Sequence, residues 1–296
     1  MRIKEWLGKN TESLVGKCIA VTGSTGGLGV ELCAYLASLG ASLILLDRNE
    51  KRSAEHRDRL VKKYGINVKC ITIDLEDISS CARVTEELIH YEIDIFIHNA
   101  GAYSIPRHKC STGYDNVYQI NFATPYYMIK RLLPQLSKKQ GRVVVVGSIA
   151  HNYSRIDPSD VDFSLVGPSS KVYGNAKRYL MYGLHELFKN EKNVSLAVTH
   201  PGIAFTNITA HYPPLIFAII KHPMKVIFMK PKKAVLSVLA GVFDKTDYGF
   251  WIGPWIFDVW GLPSKKKLRT ATAHEISKIA EISDEVYKRC CECIEK

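Results

Sequence analysis

Short apolar runs alternate along the chain with longer segments of helical period. The strand-like runs are Lys17–Thr22, Ser42–Leu46, Asn67–Ile73, Ile93–His98, Arg142–Gly147 and Val194–Thr199. The helix-like segments between them are Gly27–Leu39, Glu50–Tyr64, Ile78–Tyr91, Tyr114–Ser137 and Ser170–Asn190. Several strands are apolar without alternation, which is typical of sheets covered on both faces. The pattern predicts an α/β fold with a doubly wound parallel sheet and a ligand crevice at the carboxyl ends of its strands.

The regular alternation weakens after His200. Residues 203–231 are rich in proline and large apolar side chains, and we expect them to form an insertion beside the crevice, a lid over an apolar substrate. A helix at about Lys232–Phe243, a strand around Tyr248–Ile252 and a last helix at about 273–296 should complete the fold. Because no linker or internal repeat is visible, residues 1–296 are interpreted as one Rossmann-type domain.

Composition is that of an ordinary globular enzyme, with 46% apolar and 23% charged residues. The formal net charge of +11 is spread along the chain. We interpret it as a solvated surface, with attraction to an anionic cofactor or membrane as the alternative. No basic run has the length or aromatic interleaving of a nucleic-acid surface, so no nucleic-acid partner is predicted.

The termini and cysteines bear on location. Residues 1–13 are too polar for a secretory signal, and no stretch reaches the roughly 20 apolar residues of a membrane span. The eight cysteines are therefore interpreted as reduced residues of a cytoplasmic protein, with membrane association left open. The C-terminal cluster Cys290, Cys291 and Cys293 lacks a second pair at zinc spacing, so no metal site is predicted.

A glycine-rich turn follows the first strand and opens the first long helix. It contains Gly23, Ser24, Gly27, Leu28 and Gly29. Glycines let the backbone approach a pyrophosphate, which a helix N-terminus stabilises. The strand–turn–helix context predicts a dinucleotide site.

Asp47 ends the second strand, where its carboxylate would accept hydrogen bonds from the adenosine ribose and repel a 2′-phosphate. This favours NAD over NADP as cofactor. Arg48 complicates the choice, because a guanidinium there can pair with that phosphate.

Further candidates lie at the ends of the next two strands. Asp74, with Leu75 beside it, follows the third strand and is placed to accept from the adenine amino group. Asn99, Ala100 and Gly101 follow the fourth, where small residues let the chain pass close to the cofactor. Together these strand ends trace one crevice.

Proton exchange is assigned to Tyr173 and Lys177, which lie at i and i+4 on one face of a helix. The lysine charge should favour the phenolate and lower the tyrosine pKa towards neutrality. Ser148, at the end of the fifth strand, is placed to bond the substrate oxygen. Asn121 is assigned the anchoring of a water that links the lysine to solvent. Tyr173 and Lys177 are also expected to contact the cofactor.

This ordered set resembles the short-chain dehydrogenase/reductase superfamily from about Gly16 to Thr206. The resemblance implies that Asn121, Ser148, Tyr173 and Lys177 form a catalytic tetrad. It also implies that Pro201, Gly202 and Thr206 begin a segment that binds the cofactor and covers the substrate. His98 departs from the family, which often has an asparagine there, and we expect little consequence.

The finer pattern resembles the retinol dehydrogenase-like branch. It rests on residues 142–151, on the 25-residue step from Ser148 to Tyr173, and on the turn His200-Pro201-Gly202. That branch implies retinoids, steroids or other lipophilic alcohols and carbonyls as substrates. Residues 212–229 are independently rich in large apolar side chains, and can form a substrate lid, a contact with a membrane, or an oligomer or core contact.

The sequence leaves competing functions. The first is an NAD(P)-dependent dehydrogenase for a bulky apolar molecule. A cofactor-binding regulator of the same fold would usually lack the tyrosine or the lysine. A sugar-nucleotide epimerase would favour a larger C-terminal domain. A homo-oligomer is compatible with each of them.

Overall fold

Eight strands form one sheet in a computed structural model that describes residues 3–162, 168–203, 228–269 and 271–296. The strands are β1 (Cys18–Thr22), β2 (Ser42–Asp47), β3 (Val68–Thr72), β4 (Ile95–His98), β5 (Arg142–Val146), β6 (Ser195–Thr199), β7 (Phe250–Ile256) and β8 (Trp260–Lys267). Their spatial order is β3-β2-β1-β4-β5-β6-β7-β8. The first seven strands are parallel, as predicted.

Helices cover both faces of the sheet. They are α1 (Ile3–Asn10), α2 (Gly27–Ser38), α3 (Glu50–Tyr64), α4 (Ile78–Ile89), α5 (Asn116–Tyr118), α6 (Thr124–Lys138), α7 (Ser169–Leu187), α8 (Pro231–Ala234), α9 (Leu236–Phe243) and α10 (Ala273–Ile294). Alternate strand residues face opposite layers: Phe96 packs in the apolar cluster with α4, α6 and α7, whereas Ile97 packs in the cluster with α2 and α9. This double burial explains why the parallel strands lack a polar alternation.

The parallel sheet carries one further strand at its edge that was not predicted. This strand, β8, runs antiparallel to β7 and pairs Phe250 with Lys267 and Ile256 with Trp260. Its sequence does not have a strand pattern, because it carries Pro263 and three successive lysines. Such residues are tolerated on an edge strand, where one side of the ladder stays open to solvent.

The long helix predicted at Tyr114–Ser137 is interrupted. A π-helical turn, Gln119–Ala123, separates α5 from α6. π-helical turns place an extra residue in the helix and are frequent at functional sites. Here the turn contains Asn121, one of the candidate catalytic residues.

The helix α1 was not predicted. It is held against the rest of the protein by the burial of Trp6.

Most of the expected lid, including Thr206, lies at residues 204–227, which are outside the described residues. Within the described ranges, no helix is both long and apolar enough to cross a bilayer. The same ranges contain no cluster of metal-binding side chains, and Cys290 to Cys293 lie within α10.

Candidate active site

A cleft of about 1110 Å³ runs along the carboxyl ends of the parallel strands. The predicted residues that line it are Gly23, Gly27, Leu28, Gly29, Asp47, Arg48, Asp74, Leu75, Asn99, Ala100, Gly101, Ser148, Tyr173, Lys177, Pro201 and Gly202. Ser24 and Asn121 are buried beneath the surface of the cleft. Residues that were predicted from the ends of six separate strands thus share one cavity, as expected for a doubly wound sheet.

The glycine-rich turn is built so that no side chain intrudes between backbone segments. Gly23 has φ +67°, and a Cβ on it would lie 2.9 Å from the Cα of Ala100. A Cβ on Gly29 would lie 2.1 Å from the carbonyl oxygen of Gly23. The turn therefore packs backbone on backbone and leads directly into α2, whose N-terminus borders the cleft. This cradle fits the pyrophosphate of a dinucleotide.

The loop after β4 is held against that turn. The Asn99 amide donates to the carbonyl oxygens of Thr22 at 3.1 Å and Gly23 at 3.0 Å. The Thr22 hydroxyl accepts from the backbone N–H groups of Asn99 and Ala100, both at 3.1 Å. These bonds fix the spacing between the two strand ends that would enclose the cofactor.

The carboxylate of Asp47 makes its hydrogen bonds to other groups of the protein. Its side chain is buried, with a residue exposure of 4%. One carboxylate oxygen accepts from the backbone N–H of Thr25 at 3.0 Å and its hydroxyl at 2.9 Å. The other oxygen accepts from the hydroxyls of Ser24 and Ser53. A carboxylate has about four acceptor positions, so this one is saturated within the turn.

Two arginines lie at the same end of the cleft. Arg48 is exposed and its guanidinium lies 3.4 Å from the carboxylate of Glu76. Arg52 donates to the backbone oxygen of Thr25 at 3.1 Å and also lines the cleft. Arg52 was not predicted, although its position in the sequence could have indicated it. Arg52 lies three residues after Asn49, the N-cap of α3, and the first turn of that helix follows β2 directly.

At the other end of the cleft, Ser148 and Tyr173 are brought together by close packing of α7. A Cβ on Gly174 would lie 2.4 Å from the Ser154 hydroxyl and 2.6 Å from the carbonyl oxygen of Ala150. Only glycine allows α7 to approach the 3₁₀ turn Ile149–Tyr153 so closely. The resulting contact is a hydrogen bond between the side chains of Tyr173 and Ser148.

Lys177 lies one helical turn further along α7, almost completely buried. Its ammonium nitrogen donates to the backbone oxygen of Val146 at 2.9 Å and lies 5.7 Å from the centre of the Tyr173 ring. The predicted pair therefore shares one helix face and one cavity.

The protonation of this pair differs from the sequence expectation. Burial raises the pKa of Tyr173 to about 12, although the hydrogen bond from Ser148 opposes the shift. Burial also lowers the pKa of Lys177 to about 7. The expected lowering of the tyrosine pKa is thus wrong. Desolvation outweighs the hydrogen bond from Ser148, and the lysine itself loses charge near neutrality.

Asn121 and His98 lie behind this pair. The Asn121 amide nitrogen donates to the backbone oxygens of Ala102 and Val117, both at 2.8 Å. A Cβ added to Gly101 would lie 2.9 Å from the amide oxygen of Asn121 and 3.5 Å from the ammonium nitrogen of Lys177. Both side chains therefore lie against the backbone at Gly101. His98 is buried beside Thr22, and its pKa lies well below the usual value because of burial and the nearby Lys177. The role assigned to Asn121 and the expectation of little consequence from His98 stay predictions.

An apolar and aromatic wall completes the cleft and was not identified from the sequence. It includes Tyr103, Ile105, Ile149 and Tyr153. The Tyr103 ring packs edge-on against Tyr173, with 5.2 Å between ring centres. Tyr103 and Ile105 lie in a loop, and Ile149 and Tyr153 lie in a single 3₁₀ turn. In such short segments no periodic pattern marks a side chain that faces a cavity.

Comparisons with known proteins place the chain beside a family of dehydrogenases. The short chain dehydrogenase family profile matches residues 17–159. Retinol dehydrogenase 14 of Mus musculus is 28% identical over 212 residues, which cover 66% of this chain and 64% of that protein. The WW domain-containing oxidoreductase of Gallus gallus is 31% identical over 203 residues, covering 64% and 49%. The chain thus spans between about half and two thirds of the curated relatives it matches.

Solved structures share the fold at lower sequence identity. An uncharacterized protein from Mycobacterium paratuberculosis has a TM-score of 0.72 at 20% identity, with 97% of each chain covered. A short-chain dehydrogenase from Sphingobium yanoikuyae in complex with NADPH has a TM-score of 0.61 at 20% identity, covering 76% of this chain and 83% of the other. These likenesses establish the α/β fold.

Proposed function

Because the chain belongs to the short-chain dehydrogenase/reductase superfamily, we propose that it is an NAD(P)-dependent oxidoreductase. It interconverts an alcohol and a carbonyl group on a lipophilic substrate, with Tyr173 as general acid and base. The observation that carries the proposal is the meeting of Ser148, Tyr173 and Lys177 in the cleft that also contains the glycine-rich turn. A regulator without turnover would not need this proton-transfer group.

Each side chain has a distinct task in the mechanism. When bound, the nicotinamide cofactor supplies or accepts the hydride. The Ser148 hydroxyl orients the substrate oxygen towards the Tyr173 hydroxyl, to which it is hydrogen-bonded. At neutral pH the phenol is protonated, because its pKa is about 12, and it can donate that proton to a carbonyl oxygen as charge develops there. Lys177 would hold the nicotinamide ribose through its ammonium group, and in its charged form it would stabilise the phenolate that remains.

The wall of the cleft beside Tyr173 supports the proposed substrate class. Tyr103, Ile105, Ile149 and Tyr153 offer apolar surface to a bulky ligand, and apolar walls with a few polar groups are typical of such sites. One similar protein is named retinol dehydrogenase 14, and this name supports the same substrate class.

A panel of carbonyl substrates tests the proposal. We expect NADPH oxidation, followed by its absorbance, with ketosteroids, retinal or long-chain aldehydes, and much weaker activity with small polar ketones. Binding of the cofactor without turnover of any panel member, in either direction, would favour the regulator instead.

For the cofactor we propose NADP rather than NAD. The sequence argument for NAD assumed a free carboxylate at Asp47, but its acceptor positions are used by Ser24, Thr25 and Ser53. Arg48 and Arg52 border the cleft at this end, where a 2′-phosphate would receive charge-assisted hydrogen bonds.

The double variant Arg48→Ala/Arg52→Ala tests this choice. Loss of two charge-assisted contacts should raise the KM for NADPH about 10- to 100-fold and leave the KM for NADH within about threefold. Arg57→Ala/Arg59→Ala, on exposed positions of the same helix, is the matched control. Equal changes for both cofactors would refute a role in phosphate recognition.

A further inference from the structure

The turn between β7 and β8 presents large aromatic side chains to solvent. Phe257 is 85% exposed, Trp255 61% and Trp260 38%. Three such residues within six positions are unusual for a hairpin turn, where small polar residues are preferred. We name residues 255–260 the aromatic tip.

The backbone of the aromatic tip adds to the cost of this arrangement. Phe257 has φ +49° and Asp258 has φ +57°, in the left-handed region that disfavours bulky side chains. Gly261 is also required, because a Cβ there would lie 2.2 Å from the ring of Trp255. The exposed rings of Trp255 and Phe257 are therefore held in an arrangement that destabilises the isolated chain. This indicates that they make a stabilising contact with another molecule.

The aromatic tip packs against the lining of the cleft. His200 and Gly202 line the cleft, and a ring nitrogen of His200 lies 3.0 Å from the backbone oxygen of Asp258. A Cβ on Gly202 would lie 2.5 Å from the backbone oxygen of Val259 and 2.7 Å from the side chain of Met229. Whatever binds the tip therefore lies close to the cleft.

The charges near the tip are positive. Lys230 follows Met229, and Lys232 and Lys233 come in the next turn, in α8. None of the three makes an ion pair within the described part of the chain. The one carboxylate of the tip, Asp258, is paired with Lys266 at 3.0 Å. Unpaired lysines beside exposed tryptophan and phenylalanine are complementary to an anionic lipid surface.

We propose that the aromatic tip inserts Trp255 and Phe257 into the interface of an anionic bilayer, with Lys230, Lys232 and Lys233 over its headgroups. The cleft then lies close to the membrane, where an apolar substrate would be dissolved. The binding itself needs neither cofactor nor turnover, so it can fail or succeed independently of the proposed activity.

Vesicle binding by the full chain tests the proposal. We expect co-sedimentation with phosphatidylcholine vesicles that contain about 30% phosphatidylserine. Trp255→Ser/Phe257→Ser should weaken the partition coefficient about tenfold or more. Lys230→Gln/Lys232→Gln/Lys233→Gln should weaken it about fivefold for each lysine, and only on the anionic vesicles.

Two matched controls and a fluorescence readout sharpen the test. Val15→Ser removes an apolar side chain that is 76% exposed elsewhere, and Lys51→Gln/Lys62→Gln/Lys63→Gln removes the same charge from α3. Both should bind like the wild type, apart from a small effect of net charge. Of the four tryptophans, Trp6 and Trp251 are buried, so brominated lipids should quench mainly the tip.

Three results would overturn the proposal. They are absence of binding to anionic vesicles, equal loss of binding in the control and tip variants, and undiminished binding by the tip variants. A dimer in light scattering that becomes a monomer on Trp255→Ser/Phe257→Ser, without vesicle binding, would assign the tip to a second copy of the chain.

Discussion

Replacing Tyr173 by phenylalanine is expected to reduce turnover by about 10²- to 10⁴-fold, the usual contribution of a general acid or base. The substitution removes only the hydroxyl that is bonded to Ser148, and the ring can keep its edge-on contact with Tyr103. The fold and the cofactor cradle should therefore survive. Steady-state rates with the best substrate of the carbonyl panel, together with NADPH binding by fluorescence, measure the two effects separately.

Tyr179→Phe is the matched control for this variant. It removes a phenolic hydroxyl from the same helix, at a buried position outside the cleft lining. We expect turnover within about threefold of the wild type. If Tyr173→Phe retains full turnover while NADPH still binds, another group exchanges the proton and the proposed mechanism fails.

Replacing Lys177 by methionine should abolish most turnover and yet stabilise the cofactor-free protein. Burial lowers the pKa of Lys177 from its usual 10.5 to about 7, which means that burying the charged lysine destabilises the folded state. Methionine has no charge to bury, and its only cost is that the backbone oxygen of Val146 loses its hydrogen-bond donor. The net gain should be of the order of 3 kcal/mol in the free energy of unfolding, with turnover reduced about 10²-fold or more.

The pH dependence of this gain has a definite sign. Below pH 7 the lysine is charged in both the folded and the unfolded protein, so the full burial penalty applies to the wild type. Between pH 7 and about 10.5 the unfolded chain binds the extra proton, and wild-type stability rises with pH relative to the variant. The advantage of Lys177→Met should therefore be largest at pH 6 and should shrink by pH 9.

Urea denaturation at pH 6 and pH 9 measures that difference. Lys192→Met, which removes an exposed lysine from the loop after α7, should change stability by less than about 0.5 kcal/mol at either pH. A Lys177→Met variant that is destabilised at pH 6 would contradict the account of its burial. One that keeps full turnover would remove the lysine from the proton-transfer site.

The parts of the site that could be read from the sequence are those set by local spacing. The glycine-rich turn between β1 and α2 is recognisable because tight backbone packing permits only glycine at Gly23 and Gly29. Tyr173 and Lys177 share a helix face because of the helical period alone. Their meeting with Ser148 could be expected because parallel strands end at one edge of the sheet.

Other features were out of reach because they depend on contacts between distant segments. The direction of β8 is decided by its pairing with β7. Its own sequence, which contains three lysines and a proline, gives no indication of that pairing. Asp47 has a sequence position that suits ribose binding, but three hydroxyls and one backbone N–H surround it in the fold.

The sequence by itself determined the α/β class and the alternation of the parallel strands with the helices between them, and it predicted Tyr173 and Lys177 as the proton-transfer pair, because periodicity and covalent spacing are local properties. Only the tertiary structure decided that Asp47 supports the turn, that Tyr173 is protonated and Lys177 half-neutral near pH 7, and that an aromatic tip stands beside the cleft. These outcomes depend on desolvation and on which side chains the fold brings together, and neither quantity is defined until the chain is packed.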